Sequence, residues 1–270
     1  MKNTNFKPII ILIVIFVIYI LTFFLVFSGK NQGSTQKKSD NNKTESTINY
    51  SYMLINNTSN WRYYKGTWSS FDPSNFNNNK KTFKVYNDCK FLGNYYLSHA
   101  NVWDVYDSSE NFVGYSGNLF AVSTDLNYTP VSTQTREMTS DEIDLVKTNM
   151  GIKNIGYMSE KEAVDVDLDH NGIMDKIIIV SNVGSEEVEE KFFNVIYVVL
   201  NNNMQKLVED NIASKDSLSS ISYNFSYIIN DGTGKDGIIV GYRYCSEGNP
   251  GSTMFLYQNG KYQKVYSDYK

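Results

Sequence analysis

Beyond Tyr50 the apolar residues come in short runs, each closed by Asn, Gly, Asp or Ser, and this pattern leaves room for little but strands. Trp61 to Trp68, Thr82 to Tyr86, Asn101 to Tyr106 and Phe112 to Ser123 are rich in aromatic and β-branched residues. Alternation is clearest where Val102, Asp104 and Tyr106 interleave with Trp103 and Val105. A composition of 41% hydrophobic and 14% aromatic residues excludes a wholly disordered chain, and 17 Gly with 4 Pro excludes a fibrous one. The expectation is a mainly β fold with one or two short helices.

One helix is signed at both ends. Thr139-Ser-Asp-Glu142 is a capping box, Ile143, Val146, Lys147 and Met150 follow at helical spacing, and Gly151 can terminate the helix in the left-handed conformation. It reads as the joint between an N-terminal β region, 50–138, and a C-terminal part, 139–270.

The N-terminus is different in kind. Ile9 to Phe27 is nineteen residues in which only Thr22 is clearly polar, long enough for the roughly 30 Å of bilayer hydrocarbon. A cleaved signal peptide is the rival reading, with Val26 and Ser28 as its small residues. The apolar core is long for that role, no A-x-A site follows, and no cysteine near its end makes a lipobox. The expectation is a short tail (1–8), a single-pass transmembrane anchor (9–28) and a polar, disordered tether (29–49). Beyond residue 30 lie 22 basic and 29 acidic residues, a formal charge of −7, with no basic stripe for nucleic acid. Abundant Asn, 21 Tyr and Lys far exceeding Arg suggest an AT-rich, low-GC bacterial genome.

The C-terminal part carries an internal repeat. Ile196 to Asp210 lies without gaps over Met254 to Asp268, with Asn201, Gln205, Lys206 and Asp210 recurring as Asn259, Gln263, Lys264 and Asp268. Upstream, Ile178-Ile179-Val180 recurs as Ile238-Ile239-Val240. Each copy reads as four antiparallel strands, with Asn259-Gly260 a strong two-residue hairpin signal.

Within the first copy stands Asp167-Leu-Asp169-His-Asn171-Gly172-Ile-Met-Asp175. Calcium takes six to eight oxygen ligands, and side chains at alternate positions of a tight loop can converge on one ion. An EF-hand fits poorly, because its twelfth position is Ile178 and β-type runs flank the loop. With Ala163-Val164 before it and Ile177 to Val180 after, the stretch resembles the FG-GAP or VCBS-type repeat, as in integrin α chains, over about Val164 to Asp268. The resemblance implies a loop between two strands of a propeller blade. It also implies Ca²⁺ ligands at Asp167, Asp169, Asn171, the Ile173 carbonyl and Asp175; a polar hairpin without metal is the alternative. In the second copy the corresponding first-ligand positions are Tyr227 and Ile229, so that copy is expected to keep the turn and lose the ion. Only two units are legible, and either a propeller completed by degenerate blades or a small sandwich would accommodate them. Lysines flank the apolar run on both sides, so charge does not orient it. A loop of extracellular calcium affinity favours a C-terminal part outside the cell.

Catalytic signals are thin. Gly232 to Gly237 matches G-x-G-x-x-G by letter, but a strand follows where a dinucleotide site needs a helix. Gly114 to Asn118 misses a nucleophile elbow by its last residue. His170 lies at a non-ligand position of the loop and His99 has no evident partner. Cys89 and Cys245 could form one bridge or stay as buried thiols. Glu186, Glu187, Glu189 and Glu190 read as a solvated loop, and Trp61 and Trp68 as packing residues rather than a glycan-stacking face. The chain is expected to be an extracytoplasmic binding or scaffold protein, held in the membrane, for an envelope protein or a cell-wall glycan. It is expected to have no catalysis, nucleotide or nucleic acid. Alternatives are a wall hydrolase using Asp104, Asp107 and Glu110 as carboxylates, or a cytoplasm-facing regulator.

Overall fold

A computed structural model describes residues 49–56, 59–72, 81–100, 104–115, 119–155, 160–182, 192–212, 221–244 and 250–268, and among these described residues eighteen strands form antiparallel sheets beside one helix. Residues 48–270 make one compact unit. The expected anchor and tether lie outside the described residues. Among the described residues no helix is long and apolar enough to cross a membrane.

The first eight strands build one sheet: β1 (Ser51–Ile55), β2 (Ser59–Tyr64), β3 (Thr67–Ser70), β4 (Thr82–Asn87), β5 (Lys90–Ala100), β6 (Asp104–Asp107), β7 (Phe112–Tyr115) and β8 (Leu119–Ser123). Their order is β3-β2-β1-β8-β4-β5-β6-β7. The single expected run from Phe112 to Ser123 is thus two strands that sit apart, because β8 inserts between β1 and β4.

Two short strands follow, β9 (Thr129–Val131) and β10 (Thr135–Glu137), then α1 (Ser140–Met150). Each short strand joins a different sheet of the C-terminal part: β10 pairs with β11 (Glu160–Val166), and β9 with β15 (Ile221–Asn230). Each C-terminal sheet therefore has five strands, not four. The first is β10-β11-β12-β13-β14, with β12 (Asp175–Ser181), β13 (Phe192–Leu200) and β14 (Asn203–Ile212). The second is β18-β17-β16-β15-β9, with β16 (Gly237–Tyr244), β17 (Pro250–Gln258) and β18 (Lys261–Ser267). The boundary drawn at 138/139 is corrected by the same pairings, since β9 and β10 precede it. The sheets stay open and closure into a propeller is not seen.

The internal repeat is visible residue by residue. Asn201-Asn202 and Asn259-Gly260 are both two-residue turns with positive φ at both positions (50° and 64°; 53° and 84°), the geometry that matches strand twist in a hairpin. A register shift falls between Ile196 and Tyr197 in one hairpin and between Met254 and Phe255 in the other, the same place in the repeat.

Equivalent residues also face the same way. Ile178, Val180 and Tyr197 pack with Val146 of α1; their counterparts Ile238, Val240 and Phe255 pack against the first unit. Ile177, Ile179, Ile196 and Val198 face the second unit, whereas Ile239, Met254 and Leu256 face Trp61, Phe120 and Val122 of the eight-stranded sheet. The two units are therefore stacked front to back, as blades are. The layer order is helix, first unit, second unit, eight-stranded sheet. Trp61 is fully buried and Trp68 nearly so, and both pack in that last interface, where aromatic area contributes most to burial.

The helix is capped as its sequence requires. Thr139 Oγ1 accepts from the Glu142 amide, Glu142 Oε2 accepts from the Thr139 amide at 2.8 Å, and Gly151 has φ 68°. Glu142 does more than cap. Its buried carboxylate also accepts both Arg136 terminal nitrogens and Lys176 Nζ. These cations hold its carboxyl well below the usual range. Arg136 continues to Asp165, so the network joins β10, α1, β11 and β12.

Candidate metal centre

The β11–β12 connection is eight residues, 167–174, between the paired Val166 and Asp175. Gly172 (φ 83°) and His170 (φ 55°) allow the chain to double back inside it. Asp167 holds the fold of the loop, taking the amides of Asn171 at 3.0 Å and Gly172 at 2.8 Å. Asn171 Oδ1 accepts from the Ile173 amide, and its Nδ2 donates to Asn201 Oδ1. Asp175, buried at the start of β12, accepts from the amides of Leu168 and Asn201. Burial raises its carboxyl above the ordinary value, and the charges of Asp169 and Asp167 add to that.

Asp167, Asp169 and Asp175 each bring a carboxylate oxygen within 4.8 Å of the others. Asn171 and Ile173 of the expected set belong to the same loop: the Asn171 amide group is engaged as described, and the ligand expected from Ile173 is its backbone carbonyl, while its side chain stands in solvent beside Met174. The side chain of Asp169 is 92% buried by its 8% exposure. Its Oδ2 accepts from Asn201 Nδ2 at 2.9 Å and Lys235 Nζ at 3.0 Å, and these hold the carboxyl below its usual range, Asn201 first. Its Oδ1 is buried and has no hydrogen-bond partner. A buried, ionised oxygen without a donor is costly. A hard cation among the three carboxylates would supply what that oxygen lacks, so the residues fit such a group.

The second unit contributes to this centre instead of repeating it. Its connection is six residues, 231–236, two fewer than the first, and between the equivalent pairs Val164–Ile177 and Ile229–Gly237 the second unit is five residues shorter. Tyr227 and Ile229, the positions expected to have lost ligands, are buried strand residues facing the eight-stranded sheet; the shortened loop has no counterpart of Asp167 to Gly172. Lys235 crosses to Asp169. Asp236, 1% exposed, donates its amide to the Leu168 carbonyl and accepts from Asn230 Nδ2 at 2.8 Å. His170 Nε2 lies 2.9 Å from the same carboxylate, which raises its pKa above the ordinary value. The ring is solvent-exposed, as its non-ligand position suggests, and through Asp236 it also links the two units.

The remaining expectations divide as follows. A strand, β16, does follow the Gly232 to Gly237 string. Asp107 is bound into the β6–β7 turn by the amides of Ser109 and Asn111 and by Asn111 Nδ2. These bonds depress its pKa, the reverse of what a general acid needs. Glu110 lies in the same turn with Ser98 Oγ 3.4 Å from Oε1; the side chains of Asp104 and His99 lie outside the described residues. Cys89 is a free thiol, 3.5 Å from the Val131 carbonyl and raised in pKa by burial. Cys245, Ser116 and the acidic run at 186–190 lie outside the described residues.

No family model, no curated protein and no solved structure matches the chain.

Proposed function

We propose that this chain is a calcium-stabilised binding or scaffold module, tethered to the membrane on the extracytoplasmic side of a bacterial envelope. The observation that carries the calcium part is the donor-less, buried Asp169 Oδ1 among three converging carboxylates. The front-to-back stacking of two equivalent units supports reading the C-terminal half as FG-GAP-like blades. The nineteen-residue apolar run supports the anchor, and the acidic remainder of the chain a role away from nucleic acid. A groove of about 410 Å³ beside the loop, between the two hairpin tips, offers Asn203, Gln205, Lys261 and the rings of Tyr257 and Tyr262. Planar amides and aromatic rings of this kind suit an envelope protein segment or a cell-wall glycan.

Calcium acts here on stability. An ion that binds the folded loop and hardly the unfolded chain stabilises by about 2.7 kcal/mol at a hundred times its Kd. Thermal melting with CaCl2 and with chelator tests this, and equal melting temperatures would sink the calcium reading. Retention of the chain on purified wall, with no release of soluble fragments, separates a binding module from a hydrolase. Protease shaving of whole cells tests the orientation, since a protected C-terminal part would place it inside.

A further inference from the structure

Lys235 joins two observations that a calcium site alone leaves unexplained. It precedes Ile238 by three residues, as Asp175 precedes the equivalent Ile178. The second unit therefore carries a cation where the first carries a carboxylate of the candidate centre. That cation also leaves its own loop: its Nζ lies 3.0 Å from Asp169 Oδ2 and 4.6 Å from the centroid of the Tyr257 ring.

We propose that Lys235 is a built-in competitor for the metal, which sets the affinity of the loop and makes ion binding depend on the contact between the two units. This rests on the calcium reading above. An ion seated among Asp167, Asp169 and Asp175 would meet the ammonium at close range, and a like charge at about 4–6 Å shifts a binding equilibrium by roughly one to three powers of ten. The ammonium has somewhere to withdraw, because the face of Tyr257 attracts it independently of Asp169. Its backbone is tied to the first unit through the neighbouring Asp236 amide and the Leu168 carbonyl. Displacing Lys235 thus acts at the inter-unit seam, where His170 and Asp236 also meet.

The test uses the whole chain in detergent, with Ca²⁺ binding followed by titration calorimetry and stability by melting in CaCl2 or chelator. Lys235→Met should bind Ca²⁺ roughly ten- to a hundred-fold more tightly than the parent chain. Its melting temperature should be lower than the parent's in chelator and higher in saturating calcium, a crossing that a purely structural lysine would not give. Lys235→Arg, which keeps the charge, should stay near the parent affinity. Tyr257→Leu should weaken Ca²⁺ binding when Lys235 is present and leave the Lys235→Met chain unchanged, which guards against misreading one poorly folded variant. Equal or weaker Ca²⁺ binding by Lys235→Met would overturn the role of Lys235 while leaving the calcium site in place. Absence of Ca²⁺ binding in parent and variant alike would instead overturn the reading beneath it.

Discussion

The two stacked units share strands, turns and even the position of a bulge, yet their β-to-β connections have opposite characters. In the first unit the connection is long, and Asp167, Asp169 and Asp175 converge in it. In the second it is two residues shorter, built around Gly232 and Gly234 at positive φ, and it sends Lys235 and Asp236 across to the first. The scaffold is conserved by packing on both faces, which tolerates little change in volume. The connections face no such constraint, so one can gather charge while the other supplies a counter-charge.

The strongest way to break this contrast is at the two buried aspartates. Asp175 satisfies two backbone amides, so Asp175→Ala should cost about 3 kcal/mol in urea unfolding. Asp236 serves side chains that can turn to water, so Asp236→Ala should cost about half as much; equal losses would mean the two loops are not specialised. Next comes the Arg136–Glu142–Asp165–Lys176 network, which has no equivalent among the described residues of the second unit, where Asn230 and Asp236 stand in the places of Asp165 and Lys176. Glu142→Gln should lower stability at neutral pH by about 2 kcal/mol. Because the folded-state pKa of Glu142 lies below its ordinary value of 4.5, its contribution is complete above that pH and is lost as pH falls through and below it. The parent chain should therefore destabilise more steeply than Glu142→Gln on acid titration below pH 4.5; parallel curves would remove the network from the account. A smaller effect is expected at the hairpin tips. Gly260→Ala, at φ 84°, should cost about 1 kcal/mol. Asn202→Gly, which makes the first turn resemble the second, should stabilise by roughly 0.5 kcal/mol.

Much of this was legible in the residues. The helix was readable at both ends, because capping is a local interaction among Thr139, Glu142 and Gly151. The hairpins were readable because Asn-rich turns and a gap-free repeat are local as well. The carboxylate triad was legible as spacing. What escaped was long-range. The split of Phe112 to Ser123 depends on β8 pairing with β1 and β4, which no local pattern encodes. The fifth strands β9 and β10 are three residues each, too short for periodicity to register. Within the site, Asn201 belongs to the next hairpin. Alternate connections of an antiparallel meander lie at the same end, which could have pointed to it. Lys235 and His170 act across the seam between units, and the seam is set by which faces stack. Comparing the copies without gaps hid the shortened loop and suggested Tyr227 and Ile229 as former ligand positions, where the structure has buried strand.

A row of identical tiles has no last member unless something unlike a tile ends it. The face that Ile177 and Ile179 turn toward the second unit reappears on that unit as Ile239 and Met254, and the face of Ile238 and Val240 has its twin in Ile178 and Val180. Left bare, either end would accept another copy, from the same chain or a neighbour's. Among the described residues α1, with the flanking Met138, Ile152 and Ile155, closes one end and an unrelated sheet the other, and neither hands the pattern on. The count of two is thereby built into the polypeptide, and peeling α1 away should turn the chain into one that self-associates, visible as concentration-dependent sedimentation.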